Sequence, residues 1–363
     1  MVDLEFSTQI NDGLTQTSSD GACLAFDEKY GIMFCAYMPG KQGRYGESRN
    51  KISLSYFPAS QPTNIRFIDI SEGDDEYCPN ILGLGDGKVR VFYEKFSRTE
   101  GDHPLCYKDF DFINNTLSEE KRVMVLKSNG EIVPYSLSVV FEFLEEKGLN
   151  NHILVNTEQA GCCTPFRGDD GYVYGGAVSF LSEVALFRST DNMATLEFFA
   201  AFPYQAQYEF EYRFLNDKIY AMFRTDKETN SIYYTSSSDM GKTWDEPVSI
   251  EESIQCRPRM LCYNGNILMA YNYYNEDTEN RPGIQQGRTA IRICMWEKDT
   301  NKIRIIRDIH SKCGIVNICL TDILGDLYMA YSTSELALEY QNGNPAVRGK
   351  DAIRYIKLGD LTK

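Results

Sequence analysis

The chain has 363 residues, of which 42% are hydrophobic, and it carries a formal net charge of −15. This length and hydrophobic content suffice for one large core, whereas the acidic charge argues against a nucleic-acid partner, because affinity for phosphates comes mainly from Lys and Arg. The first residues, MVDLEFSTQIND, lack the basic and apolar regions of an export signal, and no apolar run is long enough for a membrane helix. We therefore expect a soluble, cytoplasmic protein without a membrane partner.

The 11 cysteines are odd in number, lie mostly in strand-like runs and show no zinc-type spacing. We expect buried thiols, no metal site and no cofactor. The adjacent pair Cys162 and Cys163 is the one exception, but its surroundings are not basic enough to favour a thiolate.

Six times along the chain, an apolar run is followed by a turn and by a second run that ends in aromatic residues, which is the pattern of a β-hairpin in a half-buried sheet. The six turns fall near residues 29, 86, 170, 217, 265 and 325. A third strand follows each hairpin, and often a fourth, so each unit is predicted to be a four-stranded antiparallel sheet of about 60 residues. Six such units account for the chain as a single all-β domain over residues 1–363.

Two segments serve other purposes in this prediction. The run SVVFEFLEEKGLN at 138–150 has helical periodicity and predicts one short helix inserted between the second and third units. The N-terminal run VDLEFSTQI and the C-terminal run AIRYIKL are predicted to pair, which would close the units into a ring and remove exposed sheet edges.

The octapeptide SSDMGKTW at 237–244 lies in a turn after the strand-like run SIYYT. Asp239 can accept bonds from backbone N–H groups, Gly241 suits a position with positive φ, and Trp244 offers a large apolar side chain to pack under the turn. A degenerate copy at 189–196 begins 48 residues earlier and keeps Ser, Asp and Thr at the same offsets. The turn at 237–244 is therefore predicted to brace the fold, and its degenerate copy indicates a repetitive chain.

The pattern Ser-x-Asp-x-Gly-x-Thr-Trp is the Asp-box, the signature hairpin of sialidase-like propellers. With its six repeated units, the chain resembles a divergent six-bladed β-propeller of the sialidase or BNR-repeat superfamily over essentially its whole length. The resemblance implies four-stranded blades around a central channel. It leaves several functions open, because the superfamily contains exo-sialidases, other glycosidases, uronic-acid lyases and proteins with no demonstrated activity.

Hairpin register places one charged pair at the entrance of the channel. With Asn216 and Asp217 as a two-residue turn, Glu209 lies opposite Arg224 at the open end of its hairpin. Sialidases similarly carry a Glu on an inner strand and an Arg at the end of the next strand, so the resemblance implies a catalytic or substrate-orienting role for this pair. The alternative is a structural ion pair of the kind found in ordinary sheets.

Two further hairpins contribute to the same level of the predicted channel. The turns at 264–265 and 86–87 pair Arg257 with Asn272 and Pro79 with Glu94. Three blades are thus predicted to present polar groups at one entrance, where a site is expected in a propeller.

Acidic and titratable residues flank strands at this end. Carboxylates spread over several blades could supply the pair that glycoside hydrolysis needs, one protonated and one ionised. The resemblance places Glu47 where the family has its acid loop, and His103 lies on a polar loop beside Asp102 as a candidate acid or base. The predicted catalytic residues are Glu209, Arg224, Asp75, Glu76, His103 and Glu47.

Arginines at the entrance would bind a carboxylate in bidentate fashion, and aromatic residues at strand ends could stack on sugar faces. The resemblance matches Arg288 to a carboxylate-binding Arg of the family, whereas Arg292 is predicted to be structural. The predicted substrate-binding residues are Arg49, Arg257, Arg288, Asn272 and Tyr208.

Two departures from the family pattern count against cleavage of sialic acid. The run SDGA at 19–22 stands where a sialidase carries its leading Arg, and the run KCGIVNICL lacks the nucleophilic Tyr of the last blade. We therefore expect an exo-acting glycoside hydrolase that acts on another short oligosaccharide, uronic-acid-bearing ones included. Its partner would be a small carbohydrate.

Two alternatives stay open. In a lyase, His103 or a Tyr would abstract the proton α to a uronate carboxylate while Arg224 and Arg288 neutralise that carboxylate. A non-catalytic glycan-binding propeller would have no need of clustered carboxylates and arginines at one channel entrance.

Overall fold

Six β-sheets arranged as the blades of a propeller make up the computed structural model, as the sequence predicted. The residues that the structure describes are 2–3, 8–9, 19–39, 51–72, 76–95, 104–150, 164–178, 182–206, 209–225, 232–254, 256–273, 289–297, 300, 302–311, 314–334 and 352–361.

The first two strands come before blade 1 in the chain, but they pair with strands of later blades. They are β1 (Val2–Asp3) and β2 (Thr8–Gln9). Blade 1 consists of β3 (Ser19–Asp27), β4 (Ile32–Pro39), β5 (Ser53–Pro58) and β6 (Arg66–Asp69). Blade 2 consists of β7 (Glu76–Gly85), β8 (Lys88–Lys95), β9 (Leu105–Asp111), β10 (Thr116–Leu117) and β11 (Lys121–Arg122). An insertion follows, which consists of β12 (Met124–Leu126), β13 (Ile132–Pro134) and the helix α1 (Leu137–Glu146). Blade 3 then consists of β14 (Phe166–Arg167), β15 (Val173–Val178), β16 (Ser182–Ser189) and β17 (Thr195–Ala206).

The remaining blades each begin with an inner hairpin, followed by outer strands. Blade 4 consists of β18 (Phe210–Leu215), β19 (Lys218–Arg224), β20 (Ile232–Ser237) and β21 (Val248–Ile250). Blade 5 consists of β22 (Arg259–Tyr263), β23 (Asn266–Asn272), β24 (Ala290–Glu297) and β25 (Lys302–His310). Blade 6 consists of β26 (Gly314–Ile323), β27 (Asp326–Ser334) and β28 (Ala352–Gly359), completed by β2.

The N-terminal strands close the ring. β2 pairs antiparallel with β28, with Thr8 opposite Tyr355, which confirms the predicted pairing of the two chain ends. β1 extends this closure in a way that the sequence did not predict, because it adds to blade 5 as a strand parallel to β25. The two N-terminal strands thus connect blades 5 and 6.

Each hydrophobic cluster lies between two neighbouring blades. One cluster joins blades 6 and 1 through residues such as Cys35 and Tyr328, and the other five join the remaining neighbours around the ring. A strand that packs against other blades on both faces has an apolar sequence without strict alternation. The strand β4 is an example, since it is buried continuously from Met33 to Tyr37. Packing between blades, and not within a single sheet, therefore forms the core.

The helix α1 begins at its N-cap Ser136, whose side chain accepts a bond from the backbone N–H of Val139. It ends earlier than the predicted residue 150, because Gly148 has φ +76° and its N–H bonds to the carbonyl of Glu145, an arrangement that terminates helices. Its apolar side packs on blades 2 and 3. Among the described residues, no helix has the length and apolarity needed to span a membrane.

The two Ser-Asp-Thr turns have the same hydrogen bonds. In the turn at 237–244, the Ser237 hydroxyl accepts the N–H of Gly241 at 2.9 Å, and the Asp239 carboxylate accepts the N–H of Thr243 at 2.9 Å. The turn at 189–196 repeats both bonds. These turns join the third and fourth strands of blades 3 and 4, on the outer side of the propeller.

The Trp244 side chain fastens one of these turns to the neighbouring blade. Its indole N–H donates to the carbonyl of Ala201 at 3.2 Å, and its ring packs edge-on against Phe202 with the centroids 4.8 Å apart. Gly241 has φ +80°, and a Cβ there would come within 2.7 Å of Ala200. The turn therefore contributes to packing between blades, as its residue types predicted.

Candidate functional site

The open end of the blade 4 inner hairpin carries the predicted charged pair. Asn216 and Asp217 form the two-residue turn with positive φ, and the backbone N–H of Arg224 donates to the carbonyl of Glu209 at 3.0 Å. The Arg224 guanidinium also donates to the Glu209 carboxylate at 3.0 Å, and the two side chains are 14% and 19% exposed. The predicted register is confirmed, and the pair lies at the boundary between core and solvent.

The guanidinium of Arg224 has further donor capacity. Its Nη1 atom makes the bond to Glu209, but its Nε atom is buried and has no hydrogen-bond partner among the described residues. A buried N–H donor without a partner is unfavourable. Arg224 therefore has one N–H donor that no described residue of the chain accepts.

Two residues after Glu209, on β18, Glu211 is fully buried. Its carboxylate accepts the backbone N–H and the hydroxyl of Thr164 at 3.2 Å and 2.8 Å. It also accepts bonds from the guanidinium groups of Arg213, at 3.0 Å, and of Arg259. A buried carboxylate is tolerated only with such a complete set of donors.

Arg259 extends this network across the axis of the propeller. Besides binding Glu211, its guanidinium donates to the Thr164 hydroxyl at 2.7 Å and to the carbonyl of Ile318. Its Nη2 atom lies 3.9 Å from the sulfur of Cys23, which in turn donates to the carbonyl of Pro79 at 3.2 Å. The network includes a residue from each of the six blades or, for Thr164, from the segment leading into blade 3.

We call this set the axial network, which consists of Cys23, Pro79, Thr164, Glu211, Arg259 and Ile318. Burial raises the pKa of the Glu211 carboxyl, but the charges of Arg213, Arg259 and Arg257 outweigh burial and hold its pKa below the ordinary value. Burial lowers the pKa of Arg259, and the Glu211 charge more than reverses this effect. Both groups are therefore charged in the folded protein.

Bulges interrupt three inner strands, and two of these bulges present backbone carbonyls to the axial network. The register shifts between Tyr77 and Asn80 in β7 and between Val316 and Cys319 in β26, and a third shift follows Asp20 in β3. Cys78 and Asn317 have φ values of 51° and 52° inside two of these bulges. Because a bulge re-aims the backbone next to it, the carbonyls of Pro79 and Ile318 become acceptors for the axial network.

The bulge in β7 overturns one predicted pairing. Glu94 lies opposite Tyr77 and not opposite Pro79, because the strand shifts at the bulge and again between Gly83 and Gly85. Proline cannot donate to the ladder, so its place inside a bulge is physically reasonable.

The register predicted for the blade 5 hairpin is confirmed, but the ladder does not reach the predicted pair of Arg257 and Asn272. The ladder begins at Arg259, opposite Ala270, and the carbonyl of Asn272 accepts the N–H of Ile254 at 2.8 Å. Arg257 precedes the strand, is 7% exposed and is close enough to Glu211 to lower its pKa.

Two other predicted site residues lie in buried positions. The Asn272 amide donates to the carbonyls of Ala290 and Ile315 at 3.1 Å and 3.0 Å, which joins blades 5 and 6. Glu76 accepts the hydroxyl of Ser71, whose oxygen accepts the N–H of Ile52. Six predicted residues lie outside the described part of the chain: Glu47, Arg49, Asp75, His103, Arg288 and Tyr208.

Arg292 is structural, as the sequence predicted. Its guanidinium forms a bidentate pair with Asp308 at 2.8 Å and 2.9 Å, and it also donates to Glu252. Arg292 and Asp308 lie on the outer strands β24 and β25 of blade 5, and Glu252 lies in the turn after β21 of blade 4. The cysteines of the described part are free thiols; Cys23 belongs to the axial network, and the sulfur of Cys319 accepts the N–H of the neighbouring Leu24 at 3.3 Å.

No known protein-family model matches the chain, and no curated protein sequence does. Solved structures do match it. The sialidase of Trypanosoma rangeli, solved in complex with sialic acid, matches with a TM-score of 0.63 and 13% identity over 97% of this chain. The fold is that of the sialidases. A Hadza microbial sialidase matches with a TM-score of 0.63 and 12% identity, over 97% of this chain and 68% of its own length.

This chain is shorter than the trypanosomal enzyme, because the match covers 59% of that enzyme's chain. A protein of unknown function from Dyadobacter fermentans has a TM-score of 0.61 and 11% identity, and the match covers 97% of this chain and 98% of that one. The sialidase fold thus occurs at this length in a protein to which no activity is assigned. At these identities the likeness extends to the fold alone.

Proposed function

We propose that the chain is a carbohydrate-active enzyme, an exo-acting glycoside hydrolase that removes a terminal unit from a short oligosaccharide. The observation that carries this proposal is the Glu209–Arg224 ion pair, because it is partly exposed at the open end of an inner hairpin. Glu211, two residues further along the chain, is fully buried and saturated with donors. The Glu209–Arg224 pair can therefore contact a ligand, whereas the network around Glu211 holds the blades together.

The chemistry of glycoside hydrolysis needs one ionised and one protonated carboxyl group. A guanidinium 3.0 Å away pairs with a charged carboxylate, so we assign the ionised role to Glu209. The protonated role is proposed for Asp75 or Glu47, which the sequence places near the same entrance. No metal and no cofactor takes part in this proposal.

Arg224 is proposed to bind the substrate and to keep Glu209 in place. Its Nε donor, which has no partner among the described residues, suits an anionic or hydroxyl oxygen of a sugar. A uronic acid supplies such an oxygen and agrees with the predicted roles of Arg49, Arg257 and Arg288. The two residues missing from the sialidase pattern make sialic acid the less suitable substrate.

Activity on a panel of aryl glycosides and uronic-acid oligosaccharides tests the proposal. Wild type should release reducing ends without forming an unsaturated product, and Glu209→Gln should lose about 10²-fold or more of the rate, because it removes the charged carboxylate from the reacting centre. The matched control is Glu297→Gln, which removes a carboxylate from a surface ion pair with Arg304 in blade 5. It should turn over as wild type does.

Other outcomes would select another function. A product that absorbs near-ultraviolet light would identify elimination and would favour a lyase. Saturable glycan binding without any turnover would favour a non-catalytic glycan-binding propeller.

A further inference from the structure

Glu209, to which the ionised role is assigned, lies at the inner edge of blade 4, just before β18. Among the described residues, β18 pairs with β19 alone, so its other edge faces the propeller axis without a backbone ladder. The carbonyl of Glu209 accepts the N–H of Arg224 at 3.0 Å, and this bond also lies on the β19 side. The ladder therefore holds this end of the inner strand from one side only.

Side-chain bonds of Glu211 hold the axial edge instead. Its Oε1 atom accepts the backbone N–H of Thr164 at 3.2 Å and the Thr164 hydroxyl at 2.8 Å, and it also accepts Nη1 of Arg259. The same Nη1 atom donates to the Thr164 hydroxyl at 2.7 Å, which closes a triangle of bonds. Thr164 leads into blade 3 and Arg259 belongs to blade 5, so the start of blade 4 is held from both neighbouring blades.

This triangle lies next to the proposed site. Glu209 and Glu211 are two residues apart, and side chains of an extended segment alternate, so both carboxylates lie on the same face of blade 4. Glu211 is fully buried, whereas the Glu209 side chain is 19% exposed. A shift of β18 toward either neighbouring blade would displace Glu209 at the channel entrance. Misplacement of a reacting group by about 1 Å can cost about 10²-fold in rate.

Thr164 is the member of the triangle whose effect on position can be separated from its effect on stability. It carries no charge, and without its hydroxyl Glu211 keeps both guanidinium groups, those of Arg213 and Arg259. No buried charge would therefore lose its counter-ion. The change would remove one neutral link between blade 4 and the segment that leads into blade 3.

We propose that Thr164 is a positioning residue for the reaction assigned to Glu209. Through its two bonds to Glu211, it sets the place of β18 and hence of the Glu209 carboxylate at the channel entrance. It acts through Glu211 and does not itself contact the reacting atoms. This inference rests on the proposed function, because it assigns a role relative to Glu209.

The kinetics of Thr164→Val and Thr164→Ser test the proposal, because valine keeps the shape without the hydroxyl and serine keeps the hydroxyl. On the glycoside that wild type cleaves, Thr164→Val should lose about ten-fold in both kcat and kcat/KM with KM unchanged, since the loss falls on the transition state. Thr164→Ser should recover most of the rate. Both variants should melt within about 2 °C of wild type, because each loses at most one neutral hydrogen bond.

Thr235→Val is the matched control. It removes a hydroxyl that donates to the carbonyl of Asp245 at 2.7 Å on an outer strand of the same blade, and it should keep the wild-type rate. A second measurement needs no substrate. The guanidinium of Arg224 is bonded to Glu209, so its Nε–H resonance should shift in Thr164→Val and return toward the wild-type position in Thr164→Ser.

The proposal is overturned by a Thr164→Val variant with the wild-type kcat, by an unshifted Arg224 resonance, or by a loss of rate that serine does not restore. The variant Glu209→Gln distinguishes this failure from failure of the proposed function. A slow Glu209→Gln beside a normal Thr164→Val contradicts the positioning role alone. A wild-type rate in Glu209→Gln contradicts the role of Glu209, and the positioning role falls with it.

Discussion

Replacement of Glu211 by Gln should destabilise the fold strongly. The substitution keeps the size and one acceptor of the side chain but removes the carboxylate that contacts Arg213 and Arg259, and no other carboxylate of the described residues forms an ion pair with either of them. Both guanidinium groups are buried, so they would stay charged without a counter-ion. Loss of one partner from a buried ion pair costs about 3–5 kcal/mol of the unfolding free energy.

The expected shift in melting temperature follows from the length of the chain. Unfolding entropy is roughly 2.1 cal/mol/K per residue, which for 363 residues gives about 0.8 kcal/mol/K. A loss of about 3–5 kcal/mol therefore lowers the melting temperature by about 4–7 °C. Differential scanning calorimetry of wild type and Glu211→Gln measures this shift.

A double variant and the pH dependence sharpen the test. Glu211→Gln combined with Arg259→Met should lose less stability than the two single variants added together, because each single change leaves a charged partner behind. The folded-state pKa of Glu211 is below the value of 4.5 for an ordinary Glu, so its contribution is present above about pH 4.5 and is lost as the pH falls through the folded-state pKa. If Glu211→Gln melted within about 1 °C of wild type, the reasoning on the axial network would be refuted.

Three further predictions concern the outer turns and the substrate. Trp244→Ala should lower the unfolding free energy by about 3 kcal/mol, since it removes the contacts with Phe202 and Ala201. The rate per folded molecule should stay unchanged. A variant that melts normally but loses rate would place this turn in the site. The N–H and hydroxyl of Thr243 lower the pKa of Asp239 to about 2. The stability difference between wild type and Asp239→Asn should therefore be full above about pH 4 and vanish as the pH falls toward 2. A difference that is independent of pH in calorimetric melts would contradict this cause. A fluorogenic sialoside should be turned over very weakly or not at all, and rapid release of the fluorophore would show that the sequence was misaligned in the first and last blades.

The repeat, the helix and the register of blade 4 could be predicted because each depends on local sequence. Alternation of apolar residues and two-residue turns place Glu209 opposite Arg224 without any knowledge of the other blades. The prediction failed at Glu94, because a bulge at Cys78 shifts the register and nothing in the apolar pattern shows that a residue in a strand has positive φ. Pro79 was the available signal, since a proline in a strand often marks a bulge.

The axial network could not be predicted in this way. Glu211 lies in the run FEYRF, where it looks like an ordinary polar position of an alternating strand. Its partner Arg259 is 48 residues away in the next blade, and Thr164 is 47 residues away in the other direction. These contacts depend on how inner strands meet at the axis, which is a property of the closed ring and not of any one hairpin.

The paired measurement of rate and melting temperature for Glu209→Gln tests the central claim most directly. A partly exposed ion pair contributes only about 0–1 kcal/mol to stability, so the variant should melt within about 1–2 °C of wild type. On the glycoside that wild type cleaves, the rate of the variant should be lower by about 10²-fold or more. A variant that melts several degrees lower and keeps the wild-type rate would show that the pair only stabilises the blade, and would contradict the proposed site.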